Sequence, residues 1–263
     1  MKKQSATRTA LITGAAGGIG KAVAARFAAE GISVALVDIS AIDLARFKEE
    51  LPSGTEAVVR AYQIDVRDSR QVVDCVRSVS SAFNGIDYLV NCAGISTSHL
   101  IVDVNEDEWD KVFAINIKGV FLFSKEVAKE MILKEKKNGR IVNISSQASK
   151  IGELGNGAYS ASKAAVNSFT QVLGLELAQY GISVTAICPG YVDTEMMRKV
   201  FQERGPIEGM TPQEYERKLV STVPLGRMVQ PDEIAGLVSY LCSKEAELIT
   251  GVTVTMAGGK TLI

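Results

Sequence analysis

The sequence predicts an open α/β domain in which helices cover both faces of a parallel β-sheet. Short apolar segments alternate with longer segments whose apolar residues recur at helical spacing, as in consecutive βαβ units. A glycine-rich turn joins the first apolar segment to the first helical segment. No repeat, low-complexity stretch or change in composition divides the 263 residues, so the simplest interpretation is one doubly wound domain over residues 1–263.

The first βαβ unit is the most clearly marked. Thr9–Thr13 is a short apolar run that ends at a glycine, as a buried parallel strand should. Residues 18–30 have helical spacing, and Gly31 follows in a position typical of a helix C-cap. Ser33–Asp38 then reads as a second buried strand.

The same alternation continues to the end of the chain and predicts about seven strands in all. The further strands are predicted at residues 57–64, Tyr88–Asn91, 140–145, 182–187 and 252–254. The further helices are predicted at Ser69–Phe83, 106–131 and 159–180, in polar segments around 195–220, and at Pro231–Cys242. Sheets of this kind bind ligands beyond the carboxyl ends of their strands, at the point where the strand order reverses.

Composition argues against several classes of function. The net charge of −1 and the isoelectric point near 6.0 give no reason to expect nucleic acid or an anionic membrane as a partner. We also expect no secretion signal and no membrane span, because no apolar run is long enough. The four cysteines form no C-x-x-C pair and are expected to be reduced and structural, which fits a cytoplasmic protein. His99 is the single histidine, so no metal site rich in histidine is expected.

The glycine-rich turn predicts a dinucleotide site. Gly14, Gly18 and Gly20 lie between the first strand and the first helix, where backbone without side chains lets a pyrophosphate approach the helix N-terminus. Asp38 ends the second strand, where a carboxylate accepts hydrogen bonds from ribose hydroxyls and repels a 2′-phosphate. No lysine or arginine lies at residues 31–45, so NAD is expected rather than NADP. The alternatives are a plain turn for the glycines and a helix N-cap for Asp38.

A second motif points to proton transfer. Tyr159 and Lys163 form Y-x-x-x-K and fall on one face of a predicted helix. Tyrosine is a poor base because its usual pKa is about 10. A nearby ammonium group stabilises the phenolate and makes it a plausible general base. Such pairs also occur as ordinary neighbours on a protein surface. The pair alone therefore does not establish a catalytic role, and the other motifs of the sequence are needed.

Six motifs in chain order resemble the short-chain dehydrogenase/reductase family over essentially the whole sequence. They are TGAAGGIG, NCAG, Asn116, the serine after NIS, YSASK and PGYVDT. The nearest members in appearance are polyol, sugar-alcohol and 2,3-butanediol dehydrogenases. The resemblance implies a Rossmann-like fold and a catalytic set in which Tyr159 is the acid/base. Lys163 would lower the pKa of Tyr159 and hold the nicotinamide ribose, Ser146 would bind the reacting oxygen, and Asn116 would support a proton path.

Some of these assignments have rivals. Ser145 competes with Ser146, although Ser146 has the family's spacing of thirteen residues before Tyr159. Asn116 is alternatively a helix-bending or polar core residue. The resemblance further implies dinucleotide contacts, several of which have purely structural readings: a turn at Asp65 and Val66, a tie between strands at Asn91, and a helix N-cap at Thr194. The residues so implied are Gly14, Gly18, Ile19, Gly20, Asp38, Asp65, Val66, Asn91, Ala93, Gly94, Tyr159, Lys163, Pro189, Gly190, Val192 and Thr194.

The resemblance also bears on the substrate. Residues 195–226 would fold over it as a lid, and the alternative is a plain pair of surface helices. Lys150, Glu153 and Asn156 are polar candidates for contacts with hydroxyl groups, although surface exposure explains them equally well. The expected reaction is therefore NAD-dependent interconversion of a small secondary alcohol (a polyol, sugar alcohol or vicinal diol) with its ketone. The alternatives are a 3-oxoacyl-carrier-protein-type ketoreductase and a non-catalytic NAD(H)-binding sensor or scaffold.

An assembly of identical subunits is the expected quaternary state, because the family is usually tetrameric or dimeric. Apolar residues lie on more than one face of the two long predicted helices at residues 106–131 and 159–180. Packing between subunits explains this pattern, and core packing explains much of it too. The residues concerned are Val112, Phe113, Phe121, Phe169 and Leu173.

Overall fold

A computed structural model describes residues 8–262 and shows one α/β domain built on a parallel sheet, which confirms the predicted fold class. The seven strands of the sheet lie in the order β3-β2-β1-β4-β5-β6-β7, and every pairing between neighbours is parallel. The strands are β1 Thr9–Thr13, β2 Ser33–Asp38, β3 Val59–Gln63, β4 Tyr88–Asn91, β5 Arg140–Ile144, β6 Ser183–Pro189 and β7 Val252–Met256.

Nine α-helices occur within the described residues, and most of them cross over from one strand to the next. The α-helices are α1 Gly18–Ala29, α2 Leu44–Glu49, α3 Ser69–Phe83, α4 Glu106–Phe113, α5 Val120–Leu133, α6 Gly157–Leu177, α7 Glu195–Ile207, α8 Pro212–Ser221 and α9 Pro231–Cys242.

Both faces of the central strands are buried, which is why their sequences are apolar without alternation. Successive residues point to opposite faces, so Ile12 joins the core beneath α1 and α9 while Leu11 joins the core beneath α3 and α5. Phe27 and Phe123 are the largest fully buried side chains, one on each side of the sheet. Burial of each such side chain contributes about 1.5–3 kcal/mol to folding.

The predicted helix over residues 106–131 is interrupted. A π-helical segment at Ala114–Gly119 separates α4 from α5 and contains the buried Asn116. Because a π-turn inserts an extra residue without changing the apolar periodicity much, the pattern alone did not reveal it. The strand predicted at residues 57–64 is shorter than expected. The structure adds the six-residue helix α2, whose N-cap Asp43 accepts hydrogen bonds from Ala45 N and Arg46 N.

The apolar residues on the outer faces of the long helices differ in burial. Val112 is fully buried and Leu173 packs against the core, so these two side chains serve the fold of the subunit. Phe121, Val172 and Leu175 are exposed on α5 and α6.

No helix within residues 8–262 is long and apolar enough to cross a membrane. The four cysteines are all free thiols.

The strand order reverses between β1 and β4, which lie side by side at the centre of the sheet. The helices that follow these two strands therefore leave in opposite directions, and a crevice opens above the carboxyl ends. The loops after β1, β4, β5 and β6 meet at this crevice, and α7 and α8 close one side of it.

Helix α6 packs closely against the turn that precedes β7, and two glycine substitutions test this packing. A Cβ added at Gly174 would lie 2.7 Å from the backbone nitrogen of Gly251, whereas one added at Gly236 on α9 would meet no atom within 4 Å. We expect Gly174→Ala to lower the free energy of unfolding by about 1–3 kcal/mol through overpacking. Gly236→Ala, the control, should raise it by about 0.5–1 kcal/mol through helix propensity. Urea denaturation measures both, and equal effects would contradict this account of the packing.

Candidate active site

A cavity of about 280 Å³ lies at the carboxyl ends of the central strands. Its walls come from the start of α1, from the segments after β4, β5 and β6, and from α7 and α8. Ser146, Tyr159 and Lys163 line this cavity. Polar side chains between Ser146 and Tyr159 line it too.

Contacts within the protein require glycine at two positions of the glycine-rich turn. Gly14 has a φ of +65°, and a Cβ there would lie 2.7 Å from the Ala93 nitrogen. A Cβ on Gly20 would lie 2.2 Å from the carbonyl oxygen of Gly14. Neither position tolerates a side chain, so the turn brings the N-terminus of α1 against the segment after β4.

Asp38 is a structural partner of that turn. Its Oδ2 accepts a hydrogen bond from Ala16 N at 3.0 Å, and its Oδ1 accepts one from Ser40 N at 2.9 Å. The carboxylate therefore holds the turn against the end of β2. It is not the cap of α2, a role that Asp43 takes.

Asp65 and Val66 form a turn after β3, as one of the sequence readings proposed. Arg67 donates from Nε and Nη2 to the Asp65 carboxylate, the shortest distance being 2.6 Å. This hydrogen bonding lowers the pKa of Asp65. Val66 is buried and packs on Gly119, where a Cβ would come within 2.9 Å of its Cγ2.

Asn91 ties neighbouring elements together. Its Nδ2 donates to Asn143 Oδ1 on β5 at 2.8 Å and to Ser124 Oγ on α5 at 3.0 Å. The side chain is thus held inside the core, between β4 and its neighbours. Of the residues that follow, Gly94 lines the cavity, whereas Ala93 N donates to Thr13 Oγ1 at 3.3 Å.

Asn116 is fully buried in the π-helical segment, and its amide is completely engaged. Oδ1 accepts from Ile95 N at 2.9 Å, and Nδ2 donates to Ile95 O at 2.9 Å and to Ser162 Oγ at 3.0 Å. A Cβ on Gly94 would lie 3.3 Å from Asn116 Oδ1 and 3.4 Å from Lys163 Nζ. Asn116 and Lys163 therefore meet at Gly94, which is consistent with both the structural and the proton-path reading of Asn116.

Tyr159 and Lys163 lie one turn apart on α6, with Lys163 Nζ 5.8 Å from the centre of the Tyr159 ring. Lys163 Nζ donates to the Ile144 carbonyl at the end of β5 at 2.8 Å. Ser145 Oγ donates to the Lys163 carbonyl at 3.0 Å, so it anchors the helix. Ser146 Oγ accepts from Ala148 N at 3.1 Å, and the Ser146 hydroxyl lowers the pKa of Tyr159. The two serines thus have different partners.

Burial controls the ionisation of this pair. It raises the pKa of Tyr159 to about 12, against the hydrogen bond from Ser146, which lowers it. Burial also lowers the pKa of Lys163 to about 8. The lowering of the Tyr159 pKa that the sequence led us to expect from Lys163 is not seen in the protein alone: Ser146 and Arg204 lower this pKa, and burial outweighs them because an apolar surrounding disfavours the phenolate.

The segment after β6 forms the opposite wall of the cavity. Pro189, Gly190, Val192 and Thr194 all line it, facing Ile19 at the start of α1. Thr194 is also the N-cap of α7, because its Oγ1 accepts from Met197 N at 3.3 Å. Thr194 therefore both caps α7 and lines the cavity.

The polar candidates after β5 separate into two groups. Glu153 and Asn156 line the cavity, whereas Lys150 Nζ donates to Thr255 Oγ1 on β7 at 2.9 Å. Further polar wall residues were not singled out from the sequence: Ser96, Gln147, Tyr191, Arg204, Glu208 and Tyr215. A signal for Arg204 did exist: it follows Val200 and Phe201 at helical spacing on the buried face of α7.

The residues present fit a nicotinamide dinucleotide. The N-cap of α1 is Gly17, which has no side chain to occupy the helix N-terminus. A Cβ on Gly18 would lie 2.9 Å from Thr194 Cγ2, so a larger residue at position 18 would crowd the segment after β6. The cavity wall runs from Ile19 at the start of α1 to Tyr159 on α6.

Comparison with known proteins agrees with this geometry. A family model described as short chain dehydrogenase matches residues 8–205. The chain is 40% identical over 252 residues to galactitol 2-dehydrogenase of Agrobacterium fabrum, with 96% of each chain covered.

Two solved structures superpose closely on the chain. An actinorhodin polyketide ketoreductase with NADPH has a TM-score of 0.91 and 36% identity, covering 98% of both chains. An NAD⁺-bound xylitol dehydrogenase has a TM-score of 0.91 and 32% identity, covering 98% of this chain and 100% of the other. The family model over residues 8–205, together with the similarity in sequence and fold over nearly the whole length, shows that the chain belongs to the short-chain dehydrogenase family, oxidoreductases that bind a nicotinamide cofactor.

Proposed function

We propose that this protein interconverts a small secondary alcohol and its ketone with NAD as cofactor, and that Tyr159 is the general acid/base. The observation that carries the proposal is the arrangement of Ser146, Tyr159 and Lys163 on the wall of one cavity that also reaches the N-terminus of α1. A base, a group that orients it and a cavity for the reacting atom are the parts that such chemistry requires.

Each residue has a distinct task in this mechanism. The bound dinucleotide supplies the hydride acceptor or donor. In oxidation, ionised Tyr159 takes the hydroxyl proton while Ser146 donates a hydrogen bond to the oxygen that becomes the carbonyl. Lys163 is fixed by the Ile144 carbonyl and, by Coulomb attraction, favours the phenolate. Asn116 lies beside Lys163 at Gly94 and supports a proton route through it. Reduction uses the same groups with neutral Tyr159 as the acid.

NAD is the proposed cofactor because of Asp38. Its carboxylate ends β2 and lies within hydrogen-bonding distance of the glycine-rich turn, where it would meet the adenosine ribose. A 2′-phosphate would be repelled there. The relatives include an NAD⁺ complex and an NADPH complex, so Asp38 supplies the argument for this chain.

A polyol, sugar alcohol or vicinal diol is the proposed substrate. Support comes from the polar wall formed by Glu153, Asn156 and Gln147, together with the similarity to galactitol and xylitol dehydrogenases. The second candidate is reduction of a ketoacyl substrate. It is favoured by the similarity to a polyketide ketoreductase and by apolar wall residues on the lid such as Met197, Val200 and Leu219.

The proposal also covers a lid, an interface between subunits and the location of the protein in the cell. Residues 195–226 act as a lid, since α7 and α8 contribute side chains to the cavity wall. The exposed Phe121, Val172 and Leu175 take part in an interface between identical subunits. The four free thiols suit the reducing environment of the cytoplasm.

Loss of the Tyr159 hydroxyl should abolish turnover. We expect Tyr159→Phe to lower kcat by about 100-fold or more, because general acid/base catalysis contributes about 10²–10⁴. Binding of NADH, followed by its fluorescence, should change little. Tyr240→Phe on the exposed side of α9 is the control and should keep full activity. Turnover by Tyr159→Phe at the rate of the unchanged protein would refute the assignment.

The pH dependence should differ between the two directions. Because burial raises the pKa of Tyr159 to about 12, the phenolate fraction and hence kcat/KM for oxidation should rise with pH throughout the neutral and mildly alkaline range. Reduction needs the neutral phenol and should stay nearly constant there. Ser146→Ala removes a hydrogen bond that lowers this pKa, so the rise in oxidation should move to higher pH. A shift to lower pH would contradict this role of Ser146.

Asp38 should determine the choice of cofactor. We expect Asp38→Ala to lower the ratio of kcat/KM for NAD to that for NADP by at least about tenfold, since removing the carboxylate removes its repulsion of a 2′-phosphate. Asp43→Ala, which removes the cap of α2 in the same segment, should lower stability without changing this ratio. Steady-state kinetics with both cofactors measures the ratio, and equal ratios in all three proteins would refute the NAD assignment.

A further inference from the structure

Arg204 is a buried cation on the cavity wall whose hydrogen bonds are long. It belongs to α7, is 7% exposed, and lines the cavity. Its guanidinium donates to Ser98 Oγ and to the Thr97 carbonyl, both at 3.3 Å, and lies 4.0 Å from the Glu153 carboxylate. The positive charge of Arg204 also lowers the pKa of the Tyr215 hydroxyl, against the larger effect of burial. A buried guanidinium usually makes shorter contacts than these.

Glu153 is the anion of the pair, and two amides hold it in place. Gln147 Nε2 donates to its Oε1 at 2.9 Å, and Asn156 Nδ2 donates to its Oε2 at 3.0 Å. The orientation of Gln147 is set in turn by Thr261, whose hydroxyl donates to Gln147 Oε1 at 3.2 Å. The carboxylate is therefore fixed in direction, facing Arg204 across a gap.

Asn156 leaves one acceptor without a partner. Its side chain is 4% exposed, its Nδ2 is bound to Glu153, and its Oδ1 has no hydrogen-bond partner within the described part of the chain. A buried acceptor in this state is destabilising unless a ligand or water satisfies it. Long contacts at Arg204 and an unpaired oxygen at Asn156 thus occur in one cluster on the wall that also contains Tyr159.

The opposite charges of Arg204 and Glu153 determine which kind of ligand group can bind beside them. Arg204 and Glu153 oppose each other, so an anion attracted by the guanidinium is repelled by the carboxylate. A hydroxyl group suits both, because it accepts from Arg204 and donates to Glu153 or to Asn156 Oδ1. A purely apolar chain would leave Asn156 Oδ1 unpaired and would give Arg204 no further hydrogen bond.

We propose that Arg204, Glu153 and Asn156 form a subsite for a second, uncharged oxygen function of the substrate, carried on the molecule whose carbonyl or carbinol reacts at Tyr159. The subsite rests on the proposed function and narrows it to hydroxyketones and the diols or polyols that correspond to them. Because Arg204 comes from α7 and the other two residues from the segment after β5, the same contact holds the lid against the cavity.

Matched four-carbon ketones test the subsite. The panel contains butan-2-one, its 1-, 3- and 4-hydroxy derivatives, and 3-oxobutanoate as the anion. We expect at least one hydroxybutanone to have a kcat/KM about tenfold or more above that of butan-2-one, and 3-oxobutanoate to show no such gain. Arg204→Gln should reduce the ratio of hydroxybutanone to butan-2-one to near unity, and Asn156→Ala should reduce it severalfold.

Glu153→Gln gives the sharpest test. It keeps the size of the side chain but leaves the Arg204 charge uncompensated, so kcat/KM for 3-oxobutanoate should rise about tenfold relative to the hydroxybutanone. Arg198→Gln changes an exposed arginine on the same helix, paired with Asp193, and should leave every ratio unchanged. Equal kcat/KM values for butan-2-one and all hydroxybutanones would overturn the subsite, as would variants that lower all substrates by one common factor.

A binding measurement separates this inference from the proposed function. The same ketones are titrated into the Tyr159→Phe variant with NADH bound, with NADH fluorescence as the readout. Preferential binding of a hydroxybutanone without turnover in the unchanged protein would support the subsite and refute the proposed reaction. Turnover of butan-2-one without any preference would do the opposite.

Discussion

The site depends on how α6 is held against β5. Three buried polar contacts join them: Lys163 Nζ to the Ile144 carbonyl, Ser145 Oγ to the Lys163 carbonyl, and Asn143 Nδ2 to Thr170 Oγ1, all within 3.0 Å. Buried polar groups are costly when unpaired, so this register is the one that satisfies all of them. It also fixes the distance between Ser146, which follows β5, and Tyr159, which begins the helix.

The same burial that fixes this geometry acts on both ionisable groups, with opposite effects. An apolar surrounding disfavours the charged form of each, so it raises the pKa of Tyr159 and lowers the pKa of Lys163. The balance then depends on specific neighbours. Ser146 and Arg204 lower the pKa of Tyr159, and Glu153 raises it. The polar side chains of the cavity wall therefore influence the ionisation of Tyr159.

Helix α7 adds to the cavity what the sheet edge cannot provide. Strand ends supply backbone and short side chains, whereas α7 brings a long cationic side chain across the cavity to Thr97 and Ser98. These residues lie after β4, far from Arg204 in sequence. Arg204 therefore connects three separate segments of the chain: α7, the segment after β4 and the segment after β5.

The sequence by itself determined the fold class, because strands buried on both faces and amphipathic helices leave distinct periodicities. It also determined the family, through motifs whose order and spacing are specific, and so indicated Ser146, Tyr159 and Lys163. Only the tertiary structure revealed the π-helical segment around Asn116, the core position of Asn91, and the meeting of Arg204 with Glu153. The physical reason is that periodicity and spacing record local conformation, whereas pairing of buried polar groups depends on residues brought together by chain folding.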